Sequence, residues 1–152
     1  MSVPCSSTGK RIGLTLIELV VVITILAILA AFAIPKFISL STQARVATVN
    51  ALAGTARSGA ALARSMAMAS GAAAAGTVTM EGATVQLANF YPDASLTGIP
   101  NAVTVSSDFT YAAGATGVWT ATAAPTPANC TVTYTPAAAN GVPGVVVNVA
   151  GC

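Results

Sequence analysis

The feature that most constrains this chain is an apolar run from Leu14 to Ile34 whose only polar side chains are Thr15, Glu18 and Thr24. Its 21 residues span about 31 Å as an α-helix, enough to cross the hydrocarbon of a bilayer. The run is rich in β-branched residues, among them Val20, Val21, Val22, Ile23 and Ile25. In lipid that strand propensity is overridden, because only a helix satisfies every backbone group within one segment. Lys10 and Arg11 immediately precede the run, and a basic flank stays cytoplasmic, so the expected orientation is N-terminus in, C-terminus out. One carboxylate, Glu18, stands near the start of the run. Such a group costs about a few kcal/mol at the centre of a membrane helix and less near its end. It is either an interfacial residue reaching for headgroups or a contact that matters elsewhere.

A secretory signal places its small-residue cleavage site after the apolar stretch; here the small residue, Gly13, comes before it. Lys10-Arg11-Ile12-Gly13 followed by Leu14-Thr15-Leu16-Ile17-Glu18 resembles the class III leader junction of type IV pilins and of the related pseudopilins of type II secretion. The resemblance implies that a prepilin peptidase cuts between Gly13 and Leu14 on the cytoplasmic side, discards residues 1–13, and methylates the new amine of Leu14. Leu14 stands where that family usually has Phe or Met. The expected assembly contact pairs the Glu18 carboxylate of one subunit with the Leu14 amine of another, a charge that exists only after the cut.

Pro35 then interrupts the helical pattern. It removes a backbone donor and crowds the preceding turn, so a kink or local melting is expected around Ala31 to Pro35, within a membrane or filament-core helix over 14–35. From Lys36 to about Ala69 the pattern stays helical and turns amphipathic. Phe37, Leu40 and Ala44 make one stripe, and Val49, Leu52, Ala56, Leu62, Ala63 and Met66 another. Arg57 and Arg64 are seven apart and share a face, read as solvated or as pairing with a neighbouring subunit. Ala51, Thr55, Gly59 and Ala63 form a ladder of small residues, a groove for the protein's own sheet or for another helix. A continuous helix from Leu14 to Ala69 would be about 84 Å long. No compact domain of this size needs that, so outside a membrane its apolar half must be buried against copies of itself.

Ala69 to Gly76 ends the helix and forms a connector. Beyond it Thr, Val, Gly and Pro dominate. Thr77 to Met80 and Ala83 to Ala88 read as a pair around Glu81-Gly82. Val103 with Val105, Phe109 with Tyr111, and Val118 to Thr122 read as further alternating segments. Cys130, Val132 and Tyr134 alternate with threonines as a half-buried strand, and Val145, Val147 and Val149 close the series. The expected fold is α+β: a long N-terminal helix whose amphipathic half, 36–70, packs on a small antiparallel sheet of about four strands within 71–152. Type IV pilins share that architecture, and Pro35-Lys36-Phe37-Ile38 with Gln43-Ala44-Arg45 is most similar to their mannose-sensitive haemagglutinin class.

The cut implied by the resemblance would discard Cys5 with the leader. Cys130 and Cys152 then remain in the exported part, where disulfides persist, with each other as the only partner. Losing Lys10 and Arg11 also takes the formal charge from +2 to zero on the side chains. No clustered basic face marks a nucleic-acid site. There is no histidine, and the four acids, Glu18, Glu81, Asp93 and Asp108, are scattered. No HExxH, P-loop, nucleophile elbow or Cys/His constellation can be assembled, so neither catalysis nor a cofactor is expected. Calcium wants six to eight oxygens, so Asp93 and Asp108 read as turn residues. Asn129-Cys130-Thr131 fits a glycosylation pattern by chance. Trp119, Tyr91, Phe90 and Tyr111 read as core aromatics rather than an adhesive patch.

The function the resemblance implies is a structural subunit of a type IV pilus supporting adhesion or motility. The subunit waits in the inner membrane as a single-span protein and then polymerises on an inner-membrane assembly platform into a surface filament. The alternatives are a pseudopilin of type II secretion and a minor pilin acting as a binding module.

Overall fold

The computed structural model describes residues 15–152; Gly13 and Leu14 lie outside them. The chain divides into two compact units between Leu40 and Ser41. One helix, α1, is assigned to Leu16–Ser70, with Pro35 inside it. The chain remains helical across Ala31 to Pro35.

In the first unit, every described side chain of α1 up to Leu40 is exposed. The helix is long and apolar enough to cross a membrane.

In the second unit α1 meets seven strands. It ends at Gly71, whose φ of 67° is left-handed, and the Ala72 amide donates to the Ala67 carbonyl at 2.9 Å. That bond and the glycine are the Schellman arrangement that satisfies orphan carbonyls at a helix C-terminus. The face it buries runs Val49, Ala53, Ala56, Ala60, Ala63, Ala67, with Leu52 beside it, at spacings of three and four. Leu62 and Met66, expected in the stripe, are instead 55% and 37% exposed. A sheet that approaches a helix backbone closely leaves room only for small side chains. The non-strand segment at 102–103 comes closer still: a Cβ on Gly59 would lie 2.6 Å from the Ala102 carbonyl oxygen.

The expected single sheet is two. β1 (Thr77–Met80), β2 (Ala83–Ala88) and β3 (Tyr91–Pro92) form an antiparallel three-stranded sheet. β4 (Phe109–Ala112), β5 (Gly117–Ala121), β6 (Thr131–Thr135) and β7 (Gly144–Asn148) form a four-stranded antiparallel meander. Glu81 and Gly82 have φ of 49° and 83°, the two left-handed positions of a type I′ hairpin turn, with Met80 opposite Ala83. Asn89 and Phe90, at 53° and 68°, make a second such turn that pairs Ala88 with Tyr91. The short strand it creates has no alternating run to announce it. Val103 and Val105 belong to no strand; a 3₁₀ turn, Ile99–Ala102, precedes an irregular segment there.

The helix serves the sheets in succession. Val49 to Ala60 pack in one cluster with Trp119, Val132 and Tyr134 of the larger sheet and with Cys130 just before β6. Ala63 and Ala67 pack in another with Val78, Met80, Val85 and Leu87 of the smaller.

Candidate assembly site

The start of α1 carries the acid singled out in the sequence. The Glu18 Oε2 atom accepts from the Thr15 amide and from Thr15 Oγ1, each at 3.2 Å, and the Glu18 amide donates to Thr15 Oγ1 at 3.2 Å. This is a capping box, in which an N-cap threonine and a glutamate three residues on satisfy each other's orphan donors. The Thr-x-x-Glu spacing was readable in the sequence and gives Glu18 a local role that the membrane reading alone misses. It also holds the carboxylate against the amide one residue after Leu14. The rest of this surface is apolar, with Ile17, Leu16 and Phe32 among the most exposed side chains. Lys36 follows Pro35 and is exposed.

In the second unit, Cys130 and Cys152 form a disulfide, and both are buried. The Arg45 Nε atom donates to the Cys152 carbonyl oxygen, and Nη1 donates to Ser41 Oγ at 2.8 Å. The bridge, Arg45 and α1 therefore form one continuous tie across the second unit. Nothing in the sequence pattern linked Arg45 to Cys152.

The other arginines are also used within the chain. Arg57 Nη2 donates to the Val145 carbonyl at 3.0 Å, capping an acceptor on β7, the edge of its sheet. Arg64 lies over the Tyr91 ring, 4.7 Å from its centroid, a cation–π contact. Arg57 is still exposed and Arg64 half-buried. Asp93 Oδ1 accepts from the Ser95 amide at 3.0 Å and from its hydroxyl at 2.6 Å. Asp108 Oδ2 accepts from Ser106 Oγ at 2.7 Å. Both are turn residues. Among the described residues no three His, Cys, Asp or Glu side chains gather as a metal site would require.

The aromatics divide. Trp119 and Tyr91 are buried, Tyr111 is half-buried, and Phe90 is exposed at its turn. Tyr111 and Trp119 pack with centroids 4.8 Å apart and planes at 51°. Tyr134 Oη donates to the Pro92 carbonyl at 2.7 Å, and Tyr111 Oη to the Ala94 carbonyl at 2.9 Å, so two strands of the larger sheet are pinned to the end of the smaller. Burial, with the nearby Asp93 charge adding to it, pushes the Tyr111 phenol up to about 12. Burial also raises Tyr134, with smaller contributions from Tyr111, Asp93 and Tyr91.

Residues 9–34 match the family model of the prokaryotic N-terminal methylation motif. A stretch of 51 residues is 51% identical to the type IV narrow pilus major component PilA5 of Thermus thermophilus. That stretch covers 34% of this chain and 44% of the Thermus protein, so the match spans less than half of that relative's length. No solved structure matches the chain.

Proposed function

We propose that this chain is the structural subunit of a type IV pilus, a non-catalytic protein that polymerises through its N-terminal helix. The observation that carries the reading is the pairing of a wholly exposed apolar helix, opening on a capped carboxylate, with a second unit that closes its own core around a disulfide. An exposed apolar surface of that length needs either lipid or copies of itself. The methylation motif over residues 9–34 and the similarity to a Thermus pilus component support the same reading.

Prepilin peptidase cuts between Gly13 and Leu14, and residues 14–35 hold the subunit in the inner membrane with its head outside. Leu14 then carries a methylated, positively charged amine. On the assembly platform the Glu18 carboxylate of one subunit exchanges its Thr15 donors for the Leu14 amine of another, so the buried acid gains a counter-charge. Pro35 gives the helix a point of adjustment, because the Ala31 carbonyl has no amide partner one turn on. Residues 36–70 and 71–152 form the outer head of the surface filament. Pro35-Lys36-Phe37-Ile38 and Gln43-Ala44-Arg45 favour the mannose-sensitive haemagglutinin class within the pilins.

The test is the intact mass of the subunit recovered from sheared surface filaments. The expected subunit begins at Leu14, carries one methyl group and retains one disulfide. A subunit that retains residues 1–13, or surface filaments lacking this chain, would contradict it.

A further inference from the structure

Almost every charged side chain of residues 15–152 is engaged within the chain. The three arginines hold Cys152, Val145 and the Tyr91 ring; Glu18, Asp93 and Asp108 accept from Thr15, Ser95 and Ser106. Two charges of opposite sign are left over. Neither the Lys36 ammonium nor the Glu81 carboxylate takes a hydrogen bond or an ion pair among the described residues, and both are exposed.

Their surroundings match. Glu81 occupies the first position of the β1–β2 turn with a φ of 49°, where Asn, Asp or Gly is the usual choice, so the turn itself does not ask for glutamate. It lies on an open groove of about 370 Å³ lined also by Leu62, Met66, Met80 and Val103. The thioethers make that lining pliant. Lys36 has Phe37 next to it and Leu40 one turn on, 69% and 56% exposed, so one helical turn presents a base and two apolar groups. The groove offers an acid beside its apolar side chains, with Thr55, Ser58, Asn101 and Thr104 also in its lining. A lysine stem can lie along such apolar side chains while its ammonium reaches the carboxylate, which is the helix-in-groove mode of recognition.

We propose that Lys36, Phe37 and Leu40 of one subunit seat in the Glu81 groove of a second copy of this chain. The contact is a subunit interface distinct from the one at Glu18, and it rests on the polymer reading above. Charge complementarity names the occupant: once residues 1–13 are gone, Lys36 is the one cationic side chain without an internal partner among the described residues, and Glu81 the one acid.

Lys36 is the only lysine after Gly13, so carbodiimide coupling of amines to touching carboxylates has one side-chain amine to join, and its peptide is distinguishable from one joined through the Leu14 amine. Treated wild-type filaments should give a covalent ladder on a denaturing gel and a Lys36–Glu81 joined peptide on digestion. Dispersal in detergent before treatment should remove both, and Glu81→Gln should remove the joined peptide; any ladder that remains in that variant comes from the Leu14 amine at Glu18. Lys36→Glu and Glu81→Lys alone should each lower filament yield about tenfold or more, because like charges facing across an interface repel, and the double exchange should restore it. Wild-type filaments with Lys36 uncoupled, or coupled to a different acid, overturn this interface while the polymer reading stands. Absence of filaments from the wild-type chain overturns both.

Discussion

Reducing the Cys130–Cys152 bridge should lower the melting temperature of the head by a margin that follows from the closed loop. The two cysteines are separated by 22 residues, and the chain-entropy relation for a loop of that length gives about 3.4 kcal/mol at 25 °C. The second unit, Ser41–Cys152, has 112 residues, so its entropy of unfolding is about 235 cal/mol/K, and the loss corresponds to about 14 °C. Free thiols occupy nearly the volume of the bridge, so little cavity cost is added. The assay is thermal unfolding of the processed chain in detergent, followed by the near-ultraviolet circular dichroism of Trp119, with and without reductant. The signal belongs to the head, because Trp119 is the chain's only tryptophan. A fall below about 4 °C would refute the entropic account. The end would then be held by its hydrogen bonds: Thr126 N–H to Gly151, Gly151 N–H to Asn129 and Cys152 N–H to Val149 along the main chain, with Arg45 on the Cys152 carbonyl.

Gly13→Ser should leave the chain at its full unprocessed size on an immunoblot; a mature-sized band would place the cut elsewhere. Gly59→Ala should destabilise the head by about 1–3 kcal/mol in a denaturant titration despite the better helix propensity of alanine, since its Cβ would meet the Ala102 carbonyl in a packed contact; a neutral or stabilised variant would show that the 102–103 segment yields. The fold holds the Tyr111 phenol neutral, with its pKa raised from 10.0 to about 12. The unfolded chain therefore loses that proton first, and the stabilisation is complete below about pH 10 and is lost as pH rises toward 12. Melting temperature should fall across that window, and fall less in Tyr111→Phe; identical profiles would rule out the phenol as the cause.

The helix and its ends were legible because the signals there are local. The apolar run, the Gly after the last turn and the Glu81-Gly82 hairpin each follow from a few adjacent residues. The buried face was harder to read: hydrophobicity pointed to Leu62 and Met66, whereas close approach of the sheet selected Ala53, Ala60 and Ala67. The third strand of the smaller sheet turns on Asn89 and Phe90, which adopt left-handed backbone without a glycine. The ties that fix the second unit, Arg45 to Cys152, Arg57 to Val145 and Tyr134 to Pro92, join residues far apart in sequence, and no periodicity encodes them. At the candidate assembly site the residue types were legible and the Thr15 cap on Glu18 was encoded as well, in a spacing the membrane argument passed over.

The most direct measurement is electron microscopy of cells making Glu18→Ala, with immunogold against the head, beside the intact mass of the membrane-bound subunit. If Glu18 draws each subunit to the Leu14 amine of another, the variant is cut, methylated and inserted, yet labelled surface filaments are lost. Labelled filaments in wild-type number from a correctly processed variant would contradict the account.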